Sequence, residues 1–437
     1  MNRRDFIKIA RAGTFSIAWS ALSAAAIAGQ PSNAACGKQF DPSRHAVIST
    51  DRADGRYVAT RGVVQEMLRK KPPLSFHPSF TADQFKEWKG IVKKELRKVL
   101  AFPDLPPAPA PKLLWREKRD GYSLEKWEHY PMSGVAVPFL VLVPDGVSES
   151  SPAPAVLCLP GTNYPKESLA GEPDLSPLFA IPEKFREENA MALHYARAGI
   201  VAYAVDNPGF GELSDLEIAA GHRKLSYNEM QTLGHHLLNV GWSYMGYAAF
   251  VDNRLLEAMR KDRRIDRRRI AVSGHSLGAW MAGYLTVLNE DIVAAVINQG
   301  IYHWREAAKC MTGPAADGTR PQPLDIHYFI PGMYCRFDHP DIQAAIAPRP
   351  VRYCEGMPER DYRNIYVRAY DIAGAPQNLG MVPFAKYADA SKRFAGSPPE
   401  GLPNITELYA YYSNDAPDHY FKGKVAVPWL KSKLFGK

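Results

Sequence analysis

Cysteine is scarce in this 437-residue sequence, and the five cysteines form no Cys-x-x-Cys pair or Cys/His spacing that would indicate a metal site. Internal repeats are missing too, which argues against a solenoid or propeller. Cys310 and Cys335 lie in one irregular region and are the best candidates for a disulfide. Cys158 and Cys354 lie in strand-like runs and are predicted to be buried thiols.

A large excess of charge of either sign is also absent, because 54 basic residues face 46 acidic ones and the formal net charge is +8. The densest basic run, "RKDRRIDRRR" at 260–269, is interrupted by Asp262 and Asp266. It ends a predicted helix, where cations favour the helix dipole. We therefore expect a solvated face there, and no nucleic acid partner.

No apolar run is long enough for a secure membrane span in the mature protein. At the N-terminus, "NRRDFIK" (2–8) precedes a moderately apolar stretch of small residues, and Asn33-Ala34-Ala35 offers a cleavage site. This pattern resembles a bacterial twin-arginine export signal. It implies a signal peptide over 1–35, the twin-arginine export machinery as a partner, and a periplasmic or secreted mature protein.

Residues 36–111 are predicted to form a helical N-terminal extension. Helical patterns cover 57–71 and 81–101, and Thr81 is a predicted N-cap for the second helix. The Pro-rich stretch "FPDLPPAPAPK" (102–112) then predicts an extended linker. The catalytic domain is therefore expected to span 112–437.

In that domain, strand patterns with turns at Asp120-Gly121 and Ser133-Gly134 predict an antiparallel lead-in. Strands and helices then alternate, which predicts an α/β fold with a mostly parallel central sheet and helices on both faces. Two long irregular stretches, 207–240 and 300–345, predict lid-like insertions. The last strand is predicted over 404–413. The predicted parallel strands cover 154–161, 200–206, 269–273 and 293–299.

The stretch "RIAVSGHSLGAWMAG" (269–283) predicts a strand, a sharp turn and a helix with Ser276 at the turn. A serine on such a turn is exposed as a nucleophile, and the tight approach requires Gly274 and Gly278. The backbone N–H of Leu277, at the start of the helix, is a predicted oxyanion donor. The second donor is predicted to be the N–H of Thr162, with Gly161 as the alternative, because Pro160 has no N–H.

A serine nucleophile needs a base, and His419 is the best placed histidine, in the loop "NDAPDHYFKG" near the C-terminus. His303, His327 and His339, in the irregular 300–345 region, could instead line a lid or the substrate cleft. The acid that orients the base is predicted in "CEGMPERD" (354–361), where Glu359 is favoured, Asp361 is the alternative and Glu355 is also available.

"GHSLG", the later "IAPRP" strand and the late "DHYFKG" histidine together resemble an α/β-hydrolase, specifically the dienelactone-hydrolase and acetyl-xylan-esterase-like branch. The resemblance covers roughly 113–437. It departs from the branch at Glu359, where aspartate is usual, and at Pro160, where many hydrolases have histidine.

The resemblance implies hydrolysis of carboxylic esters through an acyl-enzyme without a cofactor, on a small-molecule or carbohydrate ester. The alternatives are a serine peptidase or amidase on the same fold, and a catalytically silent hydrolase-like binding protein.

Overall fold

A computed structural model describes most of the protein after residue 60. The described residues are 61–162, 164–172, 183–214, 223–299, 303–312, 325–355, 361–394, 398–399, 401–403, 405–413 and 418–436. The predicted export signal therefore lies outside them. Residues Val63–Lys437 form one compact unit.

The core of this unit is a nine-stranded sheet with the order β1-β2-β3-β5-β4-β6-β7-β8-β9. The pairs β1–β2, β2–β3 and β3–β5 are antiparallel. The remaining pairs, from β5–β4 to β8–β9, are parallel. The strands are β1 Lys112–Arg119, β2 Tyr122–His129, β3 Val137–Pro144, β4 Ala153–Leu159, β5 Val201–Ala204, β6 Ile265–His275, β7 Ile292–Asn298, β8 Val351–Cys354 and β9 Leu379–Val382.

Helices cover both faces of the sheet, and short 3₁₀ turns join several of the elements, including Gly211–Leu213 and Ile326–Tyr328. The helices are α1 Arg61–Arg69, α2 Ala82–Val99, α3 Lys166–Ala170, α4 Glu183–Asn189, α5 Met191–Arg197, α6 Arg223–Asn239, α7 Tyr244–Met259, α8 Leu277–Leu288, α9 Trp304–Thr312, α10 His339–Ala344, α11 Asp361–Ile372, α12 Ile405–Tyr411 and α13 Gly423–Phe435.

Two apolar clusters fill the space between the sheet and the helices on its two faces. One lies between the sheet and α2, α7, α8, α10 and α11, and the other lies between the sheet and α5 and α13. A central strand such as β4 is buried at all seven positions. Its near-continuous apolar sequence reflects this burial on both faces.

The alternation predicted from the sequence is confirmed: β4, β5, β6 and β7 overlap the four predicted parallel strands, and β1–β3 form the antiparallel lead-in. The long insertions are only partly irregular, because α6 and α9 lie within them. None of the described helices is long and apolar enough to cross a membrane.

The predicted last strand at 404–413 is wrong, because that segment contains helix α12. Leu408, within the helix, and Tyr412, the residue directly after it, are both buried, and their spacing of four matches one face of a helix. The high β-propensity of isoleucine and tyrosine had favoured a strand. The last strand among the described residues is β9, a four-residue edge strand whose residues are only half buried, so that no apolar alternation marks it.

The predicted disulfide between Cys310 and Cys335 is also wrong, because no disulfide joins them: Cys310 is buried and Cys335 is exposed. Sharing one irregular stretch of sequence did not bring the two thiols together. The prediction for Cys158 and Cys354 is confirmed, since both are buried thiols. Burial raises the pKa of both thiol groups.

Helix α2 shares the main core although it precedes the sheet in the sequence. Thr81 caps it as predicted: its side chain accepts from the N–H of Gln84, and the Gln84 side chain accepts from the N–H of Thr81. Phe85, Trp88, Val92 and Leu96 line its buried face. The helix packs against α8 and α11.

The buried face of α2 predicts a large stability effect for a segment outside the sheet. Leu96→Ala should lower the free energy of unfolding by about 2–5 kcal/mol, since Leu96 is fully buried and its removal leaves a cavity. Urea denaturation measures this change. Ile91→Ala on the same helix is the control: Ile91 is 41% exposed and should change stability by less than about 1 kcal/mol. Equal effects of the two variants would contradict the packing.

Candidate active site

Ser276 lies on a strained turn between β6 and α8. Its φ is +54° and its ψ is −115°, a backbone conformation that residues with a side chain rarely adopt. Its N–H donates to the carbonyl of Asn298 at the end of β7, over 2.9 Å. The turn predicted for a nucleophilic serine is therefore present, at the carboxyl end of a central strand.

The two glycines of the motif, Gly274 and Gly278, are required because the backbones of β6, α8 and the end of β4 approach one another closely. A Cβ on Gly274 would collide with the carbonyl of Gly278, and a Cβ on Gly278 would collide with the carbonyl of Leu159 at the end of β4. Helix α8 therefore starts in direct contact with both strands. This contact places the first N–H groups of α8, which have no intrahelical acceptor, beside the serine.

The loop after β4 lies against the same turn. A Cβ on Gly161 would lie 3.3 Å from the Cβ of Ser276 and 3.1 Å from Nδ1 of His275. A side chain at this position would fit only if its neighbours moved by a few tenths of an ångström. Asn207, which follows β5, donates from Nδ2 to the carbonyl of Gly161 over 3.0 Å. The hydroxyl of Tyr328 hydrogen-bonds the side chain of Thr162.

His419 lies on the loop before α13, with its ring centroid 4.8 Å from that of His275, the neighbour of Ser276. Two buried asparagines hold this loop. Asn189 accepts from the N–H of Phe421, and Asn298 accepts from the N–H of Lys422 through Oδ1. The structure therefore brings Ser276 and the predicted base to the same edge of the sheet.

Burial lowers the pKa of His419 to about 4, and the charge of Lys422 contributes a smaller effect in the same direction. Burial also lowers the pKa of His275 well below its ordinary range, and the charges of His419 and Lys422 contribute smaller effects in the same direction. Both imidazoles are therefore neutral at pH 7. A neutral imidazole is the form that accepts a proton from a serine hydroxyl.

Of the three candidate acids, Glu355 is the one whose contacts the structure describes. It follows β8 directly with a φ of +65°, and its Oε2 accepts from Nε2 of Gln299 over 3.1 Å and lies 3.3 Å from Nζ of Lys422. Burial raises its pKa to about 7 against the opposing effect of Lys422. Glu359 lies outside the described residues, and Asp361 is the first residue of α11.

The other histidines considered from the sequence contact groups within the fold. Nδ1 of His327 lies 2.9 Å from the amide nitrogen of Gln231, and His339 packs its ring 4.1 Å from that of Trp280. Nδ1 of His303 lies 3.4 Å from Asp338. In the part of the protein that the structure describes, no three His, Cys, Asp or Glu side chains are placed to hold a metal ion.

Sequence reasoning missed the polar residues that hold these loops together. The only local signal that these residues carry is their position at an element boundary. Asn298 ends a strand, Asn207 and Gln299 follow strands, and Lys422 precedes a helix. Each of them contacts a residue distant in the sequence. Spacing within a short motif could not have revealed such pairs.

The strand order, the crossover helices and the serine turn after β6 define an α/β-hydrolase. The chain belongs to the Abhydrolase family, whose sequence profile matches residues 39–432. No curated protein matches it significantly.

The chain is similar to several solved structures, and the first of them shows the same fold. A presumed acetyl xylan esterase from Bacteroides fragilis is 38% identical with a TM-score of 0.80, over 90% of this chain and 100% of its own. A glucuronoyl esterase from Solibacter usitatus is 16% identical with a TM-score of 0.46, over 70% and 86%. A glucuronoyl esterase from Teredinibacter turnerae is 15% identical with a TM-score of 0.45, over 84% and 94%.

The crowded turn predicts that one added methyl group disrupts the site. Gly278→Ala should lower the free energy of unfolding by at least about 1–3 kcal/mol, because backbone of β4 must move away from α8. Thermal and urea unfolding measure this loss. Gly90→Ala is the control, because Gly90 is an exposed residue of α2 with nothing within 4 Å of an added Cβ. It should gain up to about 1 kcal/mol from helix propensity, and a neutral Gly278→Ala would contradict the turn geometry.

Proposed function

We propose that this protein is a serine esterase that hydrolyses carboxylic esters through an acyl-enzyme. The observation that carries the proposal is the strained turn that sets Ser276 against the Gly161 backbone, at the same edge of the sheet as His419. A nucleophile, a neutral base and a helix N-terminus at one place are the parts that acyl transfer requires.

In the proposed mechanism, the Oγ of Ser276 attacks the ester carbonyl while His419 takes the hydroxyl proton. The N–H groups of Leu277 and Thr162 donate to the oxyanion that forms. His419 then gives the proton to the leaving alcohol, and water attacks the acyl-enzyme with the same base. Glu359 orients His419, with Asp361 as the alternative, and no cofactor takes part.

The proposed substrates are esters of carbohydrates. The name of the Bacteroides fragilis relative supports this class, since that relative is 38% identical over nearly the whole sequence. Export through the twin-arginine machinery to the periplasm or beyond is part of the same proposal, and it rests on the arginine pair and the small-residue stretch of the N-terminus.

The test is hydrolysis of p-nitrophenyl esters from acetate to octanoate, with acetylated xylan alongside. Preference for acetate together with acetate release from xylan would support a carbohydrate esterase. Preference for long acyl groups without action on xylan would keep the serine mechanism and reject the substrate class. Faster cleavage of peptide p-nitroanilides than of esters would favour a peptidase.

Ser276→Ala should lower kcat for p-nitrophenyl acetate by about 10⁴-fold or more, because it removes the attacking oxygen. Circular dichroism should show an unchanged fold. Ser150→Ala is the control, because Ser150 is an exposed serine in the turn after β3, and it should keep full activity. Retained turnover in Ser276→Ala would overturn the mechanism.

The lowered pKa of His419 predicts activity in mild acid. The base must be neutral to accept a proton, and burial lowers the pKa of His419 to about 4, while the carboxylate that orients it opposes this shift. The midpoint of the fall in kcat/KM should therefore lie below the ordinary histidine value near 6.5. The pH profile of kcat/KM measures the midpoint of this fall.

Glu355→Gln is the control for this profile, because the pKa of Glu355 is raised to about 7 and its titration could add a second inflection. An inflection near pH 7 that survives in Glu355→Gln would contradict a neutral, desolvated His419.

A further inference from the structure

Two polar residues after β5 hold the loop that carries Thr162. Asp206 and Asn207 are 3% and 5% exposed, although neither is apolar. Asn207 donates to the carbonyl of Gly161 over 3.0 Å, across 46 residues of sequence. A buried carboxamide with a defined backbone acceptor restrains that acceptor more tightly than water would.

The acceptor of this bond belongs to the peptide group proposed as an oxyanion donor. The carbonyl of Gly161 and the N–H of Thr162 are parts of one planar unit and point in opposite directions. Any rotation that moved the Gly161 carbonyl away from Asn207 would therefore swing the Thr162 N–H by the same angle. Holding the carbonyl on one side fixes the direction of the donor on the other.

The rest of the loop is held independently of Asn207. Asp206 accepts from the backbone N–H of Lys166 over 2.7 Å and from its ammonium group over 2.8 Å. Lys166 is fully buried and also forms ion pairs with Glu167 and Glu212. Burial acts to lower the pKa of Lys166, but the three carboxylates raise it above its usual range. The charged cluster therefore ties Lys166 to the segment after β5 through contacts that do not involve the Asn207 amide.

We propose that Asn207 is a positioning residue for ester hydrolysis: its hydrogen bond to the Gly161 carbonyl aims the Thr162 N–H at the oxyanion on the substrate. This inference rests on the proposed esterase function and adds to it the residue that orients one of the two donors. Asparagine suits the role because it donates without adding charge beside a developing anion.

Two variants remove the donor in different ways. Asn207→Leu keeps a similar volume without a polar atom, and Asn207→Asp replaces the donor by an oxygen that repels the Gly161 carbonyl. Both should lower kcat for p-nitrophenyl acetate by about 10- to 100-fold, which is less than the roughly 10²- to 10³-fold cost of deleting an oxyanion donor. KM should change less than about 2-fold, because the ground-state ester carries no oxyanion.

A second readout is the affinity for a phenylboronic acid, which forms a tetrahedral anion on the serine. Its inhibition constant should rise by about the same factor as kcat falls, and Asn207→Gln, which keeps the amide donor on a longer arm, should recover part of both losses. If Asn207→Asp fails to fold because of its buried charge, Asn207→Leu carries the measurement.

Asn378→Asp is the matched control. Asn378 also donates from Nδ2 to a backbone carbonyl, that of Pro348, over 2.8 Å. It directly precedes β9, however, and so lies at the amino ends of the parallel strands, whereas Ser276 lies at their carboxyl ends. It should leave kcat and boronate affinity unchanged.

Folded Asn207 variants with wild-type kcat, or with a raised KM at unchanged kcat, would overturn the positioning role of Asn207 and leave the proposed esterase function intact. A wild-type protein without ester turnover, or with turnover that survives Ser276→Ala, would overturn the proposed function and the inference with it.

Discussion

The candidate site depends on one residue at the end of a central strand, Asn298. Its carbonyl accepts from the N–H of Ser276, and its side-chain oxygen accepts from the N–H of Lys422 over 2.7 Å, three residues after His419. The turn that carries Ser276 and the loop that carries His419 are therefore both hydrogen-bonded to the last residue of β7. A parallel sheet makes this possible, because the carboxyl ends of β6 and β7 meet at one edge.

Around that point, polar side chains are buried rather than solvated, and several of them contact a defined donor or acceptor. Asn189 accepts a hydrogen bond from the N–H of Phe421, and Asp206 accepts one from the ammonium group of Lys166. Gln299 donates a hydrogen bond to Glu355. Such contacts contribute little net stability compared with apolar packing, but leaving any of them unmade in the interior is costly. These contacts restrain the loops around Ser276, and the proposed mechanism needs such restraint because oxyanion donors must be preorganised.

The alternation of strands and helices and the serine turn could be predicted from the sequence because both are encoded locally. Gly274 and Gly278 are two residues either side of Ser276, and the collisions that demand them involve backbone adjacent to that motif and the end of β4. The helix cap at Thr81 is equally local. By contrast, β9 has four half-buried residues and no alternation, and the aromatic α12 carries strand-forming residues on a helical face, so pattern and propensity pointed the wrong way.

The residues that orient the site could not be predicted because their meaning comes from partners distant in sequence. Nothing near Asn207 in the sequence indicates that its amide meets Gly161, 46 residues earlier, and nothing near Lys166 indicates that it is fully buried beside Asp206. The acid is a different case: Glu355, Glu359 and Asp361 lie within seven residues, so every one of them follows the same strand and topology alone does not separate them. Glu355 binds Gln299 and Lys422 through Oε2, whereas Glu359 lies outside the described residues, so Glu359 and Asp361 stay predictions for the acid of the proposed mechanism.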